Sequence, residues 1–229
     1  MAVLTYFGHS AFQIESDNIN ILIDPFISGN PLAPITKEEL KPDFIVITHG
    51  HSDHIGDAVE IAKASNSPVI ANFEIANFFQ KKGVKSEGMS IGGSREFPFG
   101  RIKFTIAHHS SGYETPDEGM IYMGSPAGVI LSIDGKNIYH AGDTGLFLDM
   151  KLIGELTSLD IAMLPIGDNF TMGVEDAVRA ADFLKAKLNI PIHYNTFDII
   201  KANPDDFVAG VEEINLSAKI MNPGDSIEV

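Results

Sequence analysis

The chain has 229 residues, 44% of them hydrophobic, a formal net charge of -15 and no cysteine. A disulfide framework and thiolate ligands are therefore excluded, which leaves His, Asp and Glu to hold any metal. Acidic residues outnumber basic ones by 31 to 16, so the surface field repels polyanions; neither nucleic acid nor a membrane is expected as a partner, since no apolar run approaches the ~20 residues of a span.

A length near the ~200 to 250 residues of ordinary α/β domains predicts one domain over residues 1-229. The N-terminus lacks the basic start and apolar core of a signal peptide, so a cytoplasmic protein is expected. In chain order, short β-branched runs predict strands over 2-6, 11-15, 19-23, 44-48 and 69-71, with helices over 56-65 and 73-82. Further strands are expected over 102-107, 128-133, 138-140, 161-165, 190-192 and 219-221. Asp134-Gly135 predicts a tight hairpin, and helices are expected over 174-187 and, after Pro204, over 207-216. Strands first, then mixed strands and helices, predict an α/β layered sandwich.

The densest signal is Thr48-His49-Gly50-His51-Ser52-Asp53-His54, where three of the eight histidines fall within six positions directly after a predicted strand. Imidazoles and carboxylates are preferred ligands of zinc and similar ions, and alternate spacing aims His49 and His51 to one side of an extended segment. The helix predicted next would direct its positive N-terminal end toward this cluster. Downstream, His108-His109, Asp143 and His193 each stand where a predicted strand gives way to a loop, a usual place for functional side chains.

The order Asp24, His-x-His-x-Asp-His, a later histidine, Asp in Gly-Asp-Thr and a last histidine resembles the five motifs of the metallo-β-lactamase superfamily. The strings Gly8-His-Ser-Ala-Phe12, His109-Ser-Ser111, His140-Ala-Gly-Asp-Thr-Gly-Leu-Phe147, Leu164-Pro-Ile-Gly-Asp-Asn-Phe-Thr-Met-Gly173 and Pro191-Ile-His-Tyr-Asn-Thr-Phe197 resemble more closely a family of small metal-dependent hydrolases related to lactonases and phospholipase D-type members. The resemblance implies a four-layer αββα sandwich with two divalent metal ions at one edge. His49, His51 and His109 would hold the first, Asp53, His54 and His193 the second, and Asp143 would bridge them. Asp24 would support a histidine ring or the cluster loop by hydrogen bonding. His109, which precedes Ser-Ser, is preferred to His108, expected as a wall residue on the opposite face.

Such a binuclear centre predicts hydrolysis of a small-molecule phosphodiester, lactone or ester by a metal-activated hydroxide. Asp53 would align the hydroxide, and His9 is the first candidate for donating a proton, with His140 and Tyr194 behind it. Phe26, Phe147, Phe170, Met172 and Phe197 flank the proposed ligands and could line an apolar pocket. Zinc suits mixed nitrogen and oxygen donors, and manganese, iron, cobalt or nickel can be accommodated. A catalytically inactive metal-dependent binding protein and a di-iron redox module are the competing readings, and a homo-oligomer is compatible with the resemblance. RNA-processing and glutathione thioester relatives carry additional domains for which the chain after His193 leaves little room.

Overall fold

The computed structural model describes residues 2–17 and 19–229. Strands β1 (Val3–Gly8), β2 (Ala11–Ser16) and β3 (Ile19–Ile23) form an antiparallel meander, and β4 (Phe44–Val46), β5 (Val69–Asn72) and β6 (Ser86–Met89) continue the sheet in parallel. Parallel neighbours require crossovers. Helices α1 (Ser52–Ile55) and α2 (Ala58–Ser65) join β4 to β5, and α3 (Phe73–Lys81) joins β5 to β6.

The second half repeats this plan. Strands β7 (Ser94–Phe97) and β8 (Gly100–Ile106) are followed by a separate hairpin of β9 (Gly112–Thr115) and β10 (Gly119–Tyr122), then by β11 (Ala127–Ile133) and β12 (Lys136–His140). Helix α4 (Asp149–Leu156) leads to β13 (Ile161–Pro165) and α5 (Val174–Leu184) to β14 (Leu188–Ile192), both added in parallel. After α6 (Pro204–Glu213), β15 (Ser226–Glu228) closes the first sheet against β1.

Side-chain alternation explains the layering. Ile21, Ile23, Val46 and Ile70 of the first sheet meet Val129, Leu131, Ile161, Met163 and Ile190 of the second in one cluster between the sheets. Leu22, Ile45, Val69 and Ala71 point the other way, onto Ile61, Ile75 and Phe79 of α2 and α3. On the far side, Ile130, Tyr139, Ala162 and Leu164 pack against Ala177, Ala181 and Phe207 of α5 and α6. The result is the expected αββα sandwich, and its central strands β4, β5, β13 and β14 are apolar on both faces because both are covered.

The Asp134-Gly135 turn has positive φ at both residues, 50° and 73°, as a two-residue hairpin requires. Several boundaries differ from expectation. The predicted strand over 219-221 forms no ladder among the described residues beyond one bridge from Asn189 to Ala218; Met221 is instead a buried plug in the inter-sheet cluster, and the chain turns at Gly224 before pairing at Ser226–Glu228. The helix expected over 56-65 starts at Ala58, because Gly56 (φ 45°) ends the separate one-turn α1. Asp53 and His54 therefore lie on a helical turn of their own, α1, and not on a loop that leads into the predicted helix. Helix α5 stops at Leu184, with Lys185 in the left-handed region, and α6 starts at Pro204, capped by the Asn203 side chain.

Strands β6, β7, β9 and β10 and helix α4 are not among the predicted elements; the strands lack a clear apolar alternation, and α4 is a short helix with most of its apolar residues outward. Strands β7 and β10 have no buried residue, and α4 buries only Met150. Among the described residues, no helix is long and apolar enough to cross a membrane.

Candidate metal centre

The ends of β1, β3, β4, β8, β12 and β14 emerge on one edge of the sandwich, and the loops that follow carry His9, Asp24, His49, His109, Asp143 and His193. The crevice beyond the carboxyl ends of parallel strands is where open α/β sheets present functional groups. His9, Asp24 and His193 hold positive φ angles of 58°, 44° and 53°. For residues with a Cβ this backbone is costly, on the order of 1 kcal/mol each, and it persists where surrounding contacts enforce it. Here it turns each side chain back over the strand ends.

Two sets of donors gather. In the first, His49 Nε2 is 3.0 Å from His51 Nδ1, and His109 Nε2 is 3.2 Å from the same atom. Asp143 Oδ2 stands 3.9 Å from His49 Nε2 and 3.6 Å from His109 Nε2. In the second, His193 Nε2 is 3.7 Å from Asp53 Oδ2, while His54 and His9 complete a group whose donor atoms all lie within 4.8 Å of one another. Asp143 also reaches this second set, with Oδ2 3.0 Å from His193 Nε2 and Oδ1 3.3 Å from His54 Nε2. One carboxylate thus faces four imidazoles drawn from both groups.

Buried supports fix the rings. Asp24 Oδ2 accepts from His54 Nδ1 at 2.7 Å and from the Thr48 hydroxyl at 2.6 Å, and its Oδ1 accepts from the Thr48 backbone N–H at 2.9 Å. The Thr48 hydroxyl is 3.1 Å from His49 Nδ1. His9 Nε2–H donates to Asp53 Oδ2 at 3.0 Å, and its Nδ1 is left to accept from the Thr196 hydroxyl at 2.9 Å. The His9 backbone carbonyl in turn accepts from His193 N–H at 2.8 Å and from the Tyr6 hydroxyl at 3.1 Å, tying the first loop to the last.

Burial pushes the His9 imidazole down to about 4, against the pull of Asp53, so it is neutral at pH 7. The His49 ring is also held low, by burial and by His54 beside it. His54 goes the other way: burial lowers it, but Asp143 and Asp24 together carry it well above the ordinary range. His193 rises to about 9, because Asp143 and Asp53 outweigh burial. Burial would raise both Asp143 and Asp53, yet His193 and His54 keep Asp143 well below the carboxylate range, and His193 and His9 hold Asp53 low.

The donor set fits divalent cations. His54 Nε2, Asp143 Oδ1 and both His193 ring nitrogens are buried and find no hydrogen-bond partner. Buried polar atoms in a folded protein are almost always satisfied. Three of these atoms, His54 Nε2, Asp143 Oδ1 and His193 Nε2, converge within one cluster of imidazoles and carboxylates and are what a cation would satisfy, and nitrogen and oxygen donors suit zinc and its neighbours.

The structure brings together His49, His51, Asp53, His54, His109, Asp143 and His193, with His9 and Asp24 directly behind them. His108 lies apart, its ring stacked on Phe147 at a centroid distance of 4.9 Å. His140 is fully buried, donating from Nε2 to the Ser10 carbonyl and accepting at Nδ1 from Gly142 N–H, so it has no proton to offer a substrate. Tyr194 packs against the outer apolar cluster of the second sheet. Of the five expected pocket residues, Phe147 and Met172 belong to that same cluster and not to the pocket. Phe26 and Phe197 stand edge-on to His9 at 5.5 and 5.6 Å, and Phe170 lines a recess of about 350 Å3 together with His51, Asp53, Asp143 and His193.

Thr48, Ser110 and Thr196 were not singled out in the sequence. Ser110 Oγ lies 3.2 Å from His51 Nε2. Each stands next to a candidate ligand or inside a quoted motif string, which was the available signal.

A β-lactamase superfamily domain model matches residues 19–194. A UPF0173 metal-dependent hydrolase of Geobacillus thermodenitrificans is 53% identical over 230 residues, with 99% of each chain covered. Among solved structures, the metallo hydrolase Igni18 of the hyperthermophilic archaeon Ignicoccus hospitalis superposes with a TM-score of 0.90 at 42% identity, covering 100% of this chain and 99% of its own. A putative metal-dependent hydrolase of Parabacteroides distasonis gives 0.75 at 27% identity, with 96% and 93% covered.

Proposed function

Because the chain belongs to the β-lactamase superfamily, among its UPF0173 metal-dependent hydrolases, we propose that it hydrolyses a small-molecule ester, lactone or phosphodiester at a binuclear metal centre. His49, His51 and His109 would hold one divalent ion and Asp53, His54 and His193 the other, with Asp143 within reach of both groups. Zinc is the ion best matched to these donors. The observation that carries this reading is the reach of the Asp143 carboxylate to His193 on one oxygen and His54 on the other, while His49 and His109 stand within 4 Å.

Divalent ions bound there would supply a low-pKa water and a Lewis acid for the substrate oxygen, which removes the need for a nucleophilic Ser or Cys. The protein's own groups do the rest. Asp24 orients His54 with Nε2 toward the centre, and Thr48 does the same for His49. Asp53 is one-quarter exposed and lines the recess with one oxygen committed to His9, so its other oxygen can align the attacking water. Water's oxygen joins the carbonyl carbon or phosphorus, the bond to the leaving oxygen breaks, and the proton ends on that oxygen. His9 lines neither recess beside the centre and serves to position Asp53.

Metal analysis of untagged protein should give close to two ions per chain. Asp143→Ala is expected to lose bound metal and turnover while keeping the circular dichroism of a folded chain; full activity in that variant would remove the shared role of Asp143.

A further inference from the structure

Strands β8 and β11 are direct neighbours, with Ala127 opposite Ile106, yet the chain between them leaves the sheet to build the β9–β10 hairpin. Alternation along β10 turns Ile121 inward against the α2–α3 cluster and leaves Met120 and Tyr122 about 70% exposed. Large apolar side chains held out on a two-stranded hairpin need a reason. Both line a recess of about 630 Å3, a size typical of small-molecule sites, together with Pro126, Ser110 and Ser125.

His51 and His109 border this recess and also the smaller one that holds Asp53, Asp143 and His193. A molecule reacting at the centre would therefore extend directly over the hairpin. No lysine or arginine lines either recess among the described residues. Of the serine hydroxyls, Ser110 is already 3.2 Å from His51 Nε2 and Ser111 accepts from Gly50 N–H at 3.0 Å and donates to the Met123 carbonyl at 3.2 Å, which leaves the neutral hydroxyl of Ser125. Beyond the proposed metal ions, neither recess offers an Arg or Lys to the remaining oxygens of a phosphodiester, and a net charge of -15 adds long-range repulsion.

We propose that this recess takes the apolar group of an uncharged carboxylic ester or lactone, with Met120 and Tyr122 as specificity-determining residues, so that the substrate is a neutral carbonyl compound and not a phosphodiester. The proposal rests on the hydrolase reading of the adjoining centre. Water adds its oxygen to the acyl carbon, the acyl C–O bond breaks, and a carboxylic acid and an alcohol result.

The test is ligand-observed NMR with straight-chain primary carboxamides from butanamide to octanamide, on metal-loaded and metal-free protein. Affinity is expected to rise about two- to fourfold per methylene. The gain should vanish in Met120→Asp/Tyr122→Asp and survive in Met120→Leu/Tyr122→Phe, with metal content equal in all three proteins. Dibutyl phosphate should bind metal-free protein at least tenfold more weakly than octanamide. A flat wild-type series, an undiminished gain in the aspartate variant, or equal affinity for the phosphate overturns the proposal. Protein that takes up no metal yet keeps the chain-length gain and loses it in the aspartate variant refutes the hydrolase reading alone.

Discussion

Asp24 and His54 meet at 2.7 Å through Oδ2 and Nδ1 with both side chains fully buried, and the same carboxylate accepts two hydrogen bonds from Thr48. Three donors converge on one acceptor-only group. The carboxylate accepts the hydrogen bond from Nδ1–H, so the ring's other nitrogen points to the centre, 3.3 Å from Asp143 Oδ1 and without a hydrogen bond within the protein. Thr48 directly precedes His49, and Asp24 therefore fixes the approach of two candidate ligands from one buried point.

Asp24→Asn keeps the size of the side chain but sets an N–H2 against a donor, whichever way the amide turns. Loss of such an orienting carboxylate typically weakens metal affinity 10- to 100-fold. Competition with a chromogenic chelator should show a drop in that range. Affinity unchanged from wild type would mean that His54 is oriented by packing alone.

His9 and Asp53 offer a sharper distinction between positioning and proton donation. His9→Ala removes the N–H that holds Asp53 Oδ2 at 3.0 Å and leaves Thr196 without its partner. Turnover and metal content should both fall. His9→Gln can present an N–H to Asp53, so partial recovery of both is expected if the role is positioning. A glutamine amide is no proton donor for a leaving group, and failure to recover turnover despite restored metal content would favour the acid role instead.

The site was more legible in the sequence than the scaffold that completes it. His49, His51, Asp53 and His54 are neighbours along the chain; Asp143 and His193 follow the apolar ends of β12 and β14, and His109 follows β8, where Ile102 and Phe104 are buried in alternation with Arg101 and Lys103. Periodicity could not reveal β9 and β10, which have no fully buried residue, while in α4 the leucines at 152 and 156 keep a helical spacing but face outward, over only eight residues. The roles of Thr48 and Thr196 depend on contacts across loops, Thr196 to His9 being 187 residues apart, and no local pattern encodes those.

Asp57 predicts a pH-dependent contribution to stability. Its carboxylate accepts from the N–H groups of Ile27 and Ser28 at 3.1 and 2.7 Å, from the Ser28 hydroxyl at 2.7 Å, and pairs with Lys37 at 3.2 Å. Burial would raise it, but those donors hold it below its ordinary value. A folded value below the unfolded one gives stability that is present above about pH 4 and fades as pH falls further. Asp57→Asn should therefore be less stable at pH 7, by about 1 to 3 kcal/mol, and the gap to wild type should narrow below pH 4. Thermal melts of both proteins between pH 3 and 7 measure it; a gap that stays constant across that range contradicts the assignment.

Gly56 sits between the ligand-bearing turn and the loop that Asp57 secures. Its φ of 45° lies in the left-handed region, and a Cβ there would stand 2.6 Å from Phe26 Cα and closer still to the Pro25 carbonyl oxygen. Pro25 O also accepts the Asp57 N–H at 2.9 Å, so the loop cannot retreat without breaking that bond. Gly56→Ala combines a backbone that alanine disfavours with a clash against main chain, two effects that add because neither relieves the other. A loss of about 2 to 4 kcal/mol is expected, read as a lower denaturant midpoint with an unchanged slope. Since α1 ends at Gly56, the shift should also displace His54 and Asp53 and lower metal content at saturating zinc. A variant with wild-type stability and full metal content would show that the Pro25–Phe26 segment yields freely and does not pin the histidine turn.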